Sequence, residues 1–277
     1  MQVDILPTQA KRIDRSFFGW GFAGGLLGAL ILTLLPAKEA AKYVAAAVAV
    51  YFIWQRPQRG LYLLLLGLAF LPTALLGKLL LATAILAAGK NLIEGKGVLT
   101  STGVDLPCIA FFVLVGLAAF FSVARGGSLT VLPLYVLYLV AFYLAATLPS
   151  TREVSWLLGA LLLAGALAGL LGLWQYKSGI QTSLSWIDVK QAEEIKTRVF
   201  GPFDNPNIFA EYLTFVLPIA LVFVFTERRF WGKTVWAVVV AVAGAALVAT
   251  FSRGGWLAAV IGVLVLGILW EPRLLAV

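Results

Sequence analysis

The stretch Arg198-Val-Phe-Gly-Pro-Phe-Asp-Asn-Pro-Asn207 ends a long polar segment and opens an apolar run of membrane length. Asp204 or Asn205 is suited to cap a helix here, and Pro206 suits the first helical position, where its missing N–H costs nothing. A helix that starts at this point turns its N-terminus toward the polar segment. Its free N–H groups and positive dipole end form an anion site, to which Arg198 adds charge from a few residues upstream. Two readings of Arg198 stand at this level: a phosphate ligand, or an arginine that meets lipid headgroups.

The surrounding composition sets the solvent. The chain has 277 residues, 61% hydrophobic and 12% charged, too apolar for a soluble domain and matched to a bundle of membrane-spanning helices. Its long Leu/Ala/Val/Gly blocks lack period-two alternation, which selects helices over a barrel. The expected fold is an all-α, polytopic transmembrane helix bundle, a single domain over residues 1–277. The net charge of +8 does not point to nucleic acid, because the basic residues sit in short segments between apolar runs, where they control topology. Cys108 is the sole cysteine and histidine is absent, so a metal would need a carboxylate cage, and the sequence has no matching cluster. No metal or cofactor is expected.

Apolar runs separated by charge or Pro/Gly punctuation give about ten spans, since about 20 residues cross a bilayer and about 17 suffice. They fall near 17–35, 39–54, 60–77, 78–95, 105–123, 129–148, 154–176, 206–226, 234–251 and 255–270. Lys11, Arg12 and Arg15 precede the first, which is too long for a signal-peptide core and lacks a following A-x-A site, so it reads as an uncleaved helix. Residues 60–88 form either a hairpin or one helix bent at Pro72. With a cytoplasmic N-terminal segment, 1–16, twelve of the 21 basic residues fall inside, and four of the remaining nine lie in one outer loop, 177–205. Glu227-Arg228-Arg229-Phe-Trp-Gly-Lys233 makes a good cytoplasmic turn, which places Arg198 and Arg253 together on the outer face. Within the loop, Ser185–Thr197 is either a short amphipathic surface helix or a solvated connection.

Three more charged residues bear on chemistry. Glu211 lies one turn inside the helix that begins at Pro206, and an intramembrane carboxylate either pairs, here with Arg198 or Arg253, or exchanges a proton. Thr250-Phe-Ser-Arg-Gly-Gly255 joins two apolar runs with almost no loop, so Arg253 sits near the membrane boundary, with glycines that allow close backbone approach. Arg125-Gly-Gly127 repeats that design, either as a second ligand or as an arginine snorkelling to headgroups.

Taken together, Arg198, Gly201, Phe203, Asn205, Pro206 and Asn207, followed by Thr250, Ser252, Arg253, Gly254 and Gly255, resemble the paired motifs of the O-antigen ligase and Wzy-like polymerase superfamily. The resemblance covers about Arg198 to Gly255; the earlier spans agree in hydropathy and rhythm only. It implies a metal-independent glycosyltransferase in the bacterial inner membrane, with undecaprenyl-pyrophosphate-linked glycan as donor and lipid A core, a glycan chain or protein as acceptor. Arg198 and Arg253 would bind pyrophosphate and so serve catalysis, and Asn205 and Asn207 would orient the donor or the loop; read from the residues themselves, Gly201, Phe203, Asp204, Ser252 and Arg125 are further substrate-site candidates and Glu211 a catalytic one.

The family pattern continues into a second outer loop that carries a histidine, and then into further spans. This chain ends at Val277 and has no histidine, so the reading adopted is a truncated version of the family fold; a carboxylate such as Glu211 or Asp204 acting as base is the alternative. Two other classes stand beside the enzyme: a transporter of a small anion such as bicarbonate, and a noncatalytic membrane scaffold.

Overall fold

The computed structural model describes residues 36–97, 101–146, 150–180 and 198–270, with the isolated positions 25, 28 and 29. Among the described residues the ordered elements are all helices: α1 (Ala37–Gln55), α2 (Gln58–Gly67), α3 (Thr73–Ile93), α4 (Asp105–Phe120), α5 (Arg125–Ala146), α6 (Thr151–Lys177), α7 (Pro206–Thr226), α8 (Phe230–Ala249) and α9 (Arg253–Leu269). Five of them, α3, α5, α6, α7 and α8, are long and apolar enough to cross a membrane. At 1.5 Å per residue they reach about 30 to 40 Å, the thickness of a hydrocarbon core or more. The apolar helices α4 and α9 are shorter, at 16 and 17 residues. The N-terminal segment, nearly all of the first expected span and the expected surface helix 185–197 lie outside the described residues.

Internal contacts divide the chain into two compact units, 1–52 and 53–277. The described part of the first is mainly α1 as far as Phe52, a largely exposed helix with a Lys42–Glu39 ion pair at 2.7 Å in its N-terminal turns.

In the second unit, α6 is the central element because one of its faces is nearly bare. Gly165, Gly169 and Gly172 recur at helical spacing, and small residues let backbones approach where lipid offers no hydrophobic drive. A Cβ at Gly165 would lie 2.7 Å from both methyls of Val216, and one at Gly169 would lie 2.9 Å from Val242. Thus α7 and α8 both press on α6. The resulting core joins Leu162 and Ala168 of α6 to Phe209, Leu213 and Val216 of α7 and Ala243 and Ala246 of α8, all fully buried.

The third and fourth expected spans divide differently from the expectation. The break falls at Leu68–Pro72, not near residue 77, because Pro72 takes an extended conformation (ψ 142°) and caps α3. The chain then folds back as a hairpin. Gly60 of α2 meets Thr83 of α3, Leu61 and Leu80 share a small core with Leu144 of α5, and Gly67 faces Leu76. The first arm, α2, has ten residues. That is about 15 Å, half a hydrocarbon core, so α2 alone does not cross. The helix α5 also starts at Arg125, four residues earlier than expected, which moves Arg125-Gly-Gly127 from a loop into the first turn of a helix.

Candidate functional site

At one end of the second unit the segment that begins at Arg198 is stitched onto three helix ends. Val199 N–H donates to the Ala249 carbonyl at 3.1 Å and Arg198 Nε to the Thr250 carbonyl at 2.9 Å. These carbonyls belong to the last residue of α8 and its C-cap, where helical partners run out. The other side of the loop is held by Gln175, a buried amide in the last turns of α6. Its Oε1 accepts from Phe200 N–H at 3.2 Å and Gly201 N–H at 2.9 Å, and its Nε2 donates to the Gly201 carbonyl at 2.8 Å.

Gly201 is fixed by two constraints. Its φ is +55°, in the left-handed region, and an added Cβ would lie 2.8 Å from the Phe209 ring. Phe203 then stacks on Phe209 (centroids 5.9 Å apart) and tilts against Tyr212 (5.1 Å), which closes the loop over the first turns of α7. Asp204 follows with φ +56° and is exposed.

Asn205 settles the capping choice. Its side chain accepts from Asn207 N–H at 2.8 Å, and Pro206 occupies the first turn of α7. Asn207 in turn accepts from Arg198 Nη2 at 3.0 Å, so the guanidinium bridges the start of α7 and the end of α8. Half-burial lowers the Arg198 pKa from its ordinary value, since desolvation disfavours the charged form. The group nevertheless stays cationic at physiological pH.

The second motif builds a matching helix start. Thr250 Oγ1 donates to the Leu247 carbonyl at 2.6 Å and accepts from Ser252 N–H at 3.2 Å, while Phe251 takes φ +52°. Ser252 caps α9, its Oγ accepting from Gly255 N–H at 3.4 Å. Gly255 faces Ala210, where a Cβ would come within 2.7 Å, and this contact sets the start of α9 against the early turns of α7. Two helix N-termini therefore open at the same end beside Arg198, and exposed Arg253 stands at the first position of α9. A cation at a helix N-terminus opposes the dipole, so the arrangement concentrates positive potential that an anion relieves.

The expected pairing of Glu211 with Arg198 or Arg253 is not formed. The ion pairs among the described residues are Lys42–Glu39 and Lys96–Glu94. Glu211 is exposed, four residues beyond Asn207 and so on the same face of α7, while Asn207 itself takes the guanidinium of Arg198. Arg125 is engaged with its own turn: its Nε donates to the Phe120 carbonyl at 2.7 Å, its guanidinium lies 4.6 Å from the Phe120 ring centre, and α5 packs on α2, α3 and α4. Among the described residues no three of His, Cys, Asp or Glu gather as metal ligands would.

Beside Phe203 opens an apolar groove of about 610 Å³, lined by Leu71 and Pro72 of the α2–α3 turn, Leu134 and Tyr138 of α5, and Pro202 and Phe203. It extends along α2, α3 and α5 to Ala145 and Leu157. A cationic end and an apolar groove thus share one short loop, Arg198–Phe203. The reading of residue types missed Gln175; its signal is an amide two residues from the end of a glycine-rich apolar helix, a costly place for a polar group without a partner. Comparison with known protein families, with curated proteins and with solved structures finds no match.

Proposed function

We propose that the protein is a membrane glycosyltransferase of the O-antigen ligase and polymerase kind, which takes a glycan from undecaprenyl pyrophosphate. The observation that carries this reading is the convergence of two helix N-termini and two arginines beside an apolar groove. A diphosphate fits the first part and a polyprenyl chain suits the second. Arg198, anchored through Nε and Nη2 to Thr250 and Asn207, is preorganised, and Arg253 is exposed to meet the same ligand.

In the reaction, an acceptor hydroxyl attacks the anomeric carbon of the donor sugar, the bond from that carbon to the diphosphate oxygen breaks, and polyprenyl diphosphate leaves with the electron pair. Negative charge grows on the leaving diphosphate, so fixed cations and helix N–H groups stabilise the transition state more than the ground state. The acceptor proton goes to a base; the exposed carboxylates Glu211 and Asp204 are the candidates at this end. The acceptor is lipid A core, a growing glycan or a protein side chain.

Sidedness supports an outward-facing site. Among the described residues of the second unit, the far end carries Arg56, Arg59, Lys90, Lys96, Arg152, Arg228, Arg229 and Lys233, and the site end carries Lys78, Arg125, Lys177, Arg198 and Arg253. Under the positive-inside rule the richer end is the cytoplasmic one, which supports a site at the outer face, in this proposal that of a bacterial inner membrane. Transport of a small anion such as bicarbonate calls for charge near the bilayer midplane; here the candidate cations gather at one end. The test is glycan transfer from a lipid-linked donor in proteoliposomes. Arg198→Ala and Arg253→Ala are each expected to abolish transfer at wild-type expression, and undiminished transfer by both single variants overturns the proposal.

A further inference from the structure

At the end of the second unit away from Arg198, a cleft of about 820 Å³ opens between the N-terminal end of α2, the C-terminal end of α3 and the C-terminal half of α5. It has two levels. Arg56, Lys90 and Lys96 line it at the helix ends, and Ala84, Ala87 and Leu139 line it deeper along α3 and α5. From Lys90 to Ala84 the helix descends about 9 Å, so the charged level lies over an apolar one.

The cations outnumber the local carboxylates. Glu94 lines the cleft and is held by Lys96 at 2.6 Å. Asp105, which adjoins the cleft through Tyr143, is already saturated: it accepts from Thr102 Oγ1 at 2.6 Å, Thr102 N–H at 2.9 Å, Ser101 Oγ at 3.0 Å and Tyr143 OH at 2.9 Å. Lys90 Nζ is set in place by donation to the Gln55 carbonyl at 2.6 Å, and an ammonium has two further donors to offer. Positive charge is therefore fixed at the mouth of a cleft whose deeper wall is aliphatic, in a bundle with five helices of membrane length. A soluble phosphate satisfies the upper level alone; an amphiphile with an anionic head satisfies both.

We propose that this cleft binds an anionic phospholipid of the leaflet at that end, the phosphate among Arg56, Lys90 and Lys96 and an acyl chain along Ala84, Ala87 and Leu139. This reading is independent of the glycan-transfer proposal. A bound lipid would bridge α2, α3 and α5, and would tie the half-length helix α2 to its neighbours at the membrane surface.

The test uses the full chain purified in detergent and native mass spectrometry, with dioleoylphosphatidylglycerol against dioleoylphosphatidylcholine. Preferential retention of phosphatidylglycerol is expected. Lys90→Gln should weaken it about fivefold, and the triple variant Arg56→Gln, Lys90→Gln, Lys96→Gln about a hundredfold, while Lys90→Arg stays within about twofold of wild type. Ala87→Trp, which fills the apolar level and leaves every cation in place, should also lose the lipid. Glycerol phosphate at millimolar concentration should fail to displace it. Equal retention of the two lipids, wild-type retention by the triple variant or by Ala87→Trp, or displacement by glycerol phosphate overturns the proposal, the last in favour of a soluble phosphate ligand.

Discussion

Replacing Gln175 by leucine should release the Arg198 loop while leaving the helix bundle folded. The side chain is buried and makes three bonds to the loop, with Phe200 N–H, Gly201 N–H and the Gly201 carbonyl. Leucine fills a similar volume but satisfies none of them. A lost hydrogen bond costs about 1 kcal/mol net and a buried group left unpaired about 1 to 3. The Phe200 amide is only partly buried and regains water, whereas both Gly201 groups lie in buried bonds, so opening of the loop becomes easier by about 2 to 4 kcal/mol. At about 1.4 kcal/mol per factor of ten, hydrogen exchange at the Gly201 amide should accelerate by about 30- to 1,000-fold. Exchange mass spectrometry on the detergent-solubilised chain reads this directly. Peptides from the middle of α6 and α7 serve as internal controls and should not change. Gln175→Glu keeps the acceptor oxygens and should leave the Gly201 amide much better protected than leucine does. Exchange in Gln175→Leu within about threefold of wild type would refute the clamp, because loss of three such bonds cannot be so mild.

Other perturbations follow from the same contacts. Gly201→Ala meets both a positive φ and the Phe209 ring, and should cost about 1 to 3 kcal/mol of loop or global stability, read by thermal unfolding in detergent. Gly165→Val pushes a stiff side chain into Val216, and overpacking of about 1 to 3 kcal/mol should appear as a lowered unfolding midpoint; an unchanged midpoint would mean that α6 and α7 do not meet there. Arg125→Ala removes an arginine engaged with its own turn, so diphosphate-lipid binding should stay within about twofold of wild type, and a loss of tenfold or more would make Arg125 a ligand of the site.

Local chemistry was the most legible part of the chain. The Asn205-Pro206 helix start follows from a capping side chain and a proline that needs no N–H, and α7 begins there. The α2–α3 hairpin was harder to place. In the leucine-rich run 61–81 nearly every face is apolar, so periodicity gave no boundary, and Pro72 was compatible with both a kink and a break. The position of Glu211 was invisible in residue spacing: Asn207, one turn before it on the same face of the helix, accepts from Arg198, a neutral contact that residue charges do not announce. Gln175 was hidden for a similar reason, since its partners are backbone groups more than twenty residues away.

Direct measurement of diphosphate-lipid binding bears most closely on the central claim. With the purified chain in detergent and undecaprenyl pyrophosphate titrated against undecaprenyl phosphate, the wild type should prefer the diphosphate. Arg198→Ala and Arg253→Ala should each weaken it by tenfold or more, in line with about 1.5 to 3 kcal/mol for a charge-assisted bond. Equal affinity for the two lipids, or diphosphate binding unchanged in both variants, would contradict the assignment of this end of the bundle as a pyrophosphate site.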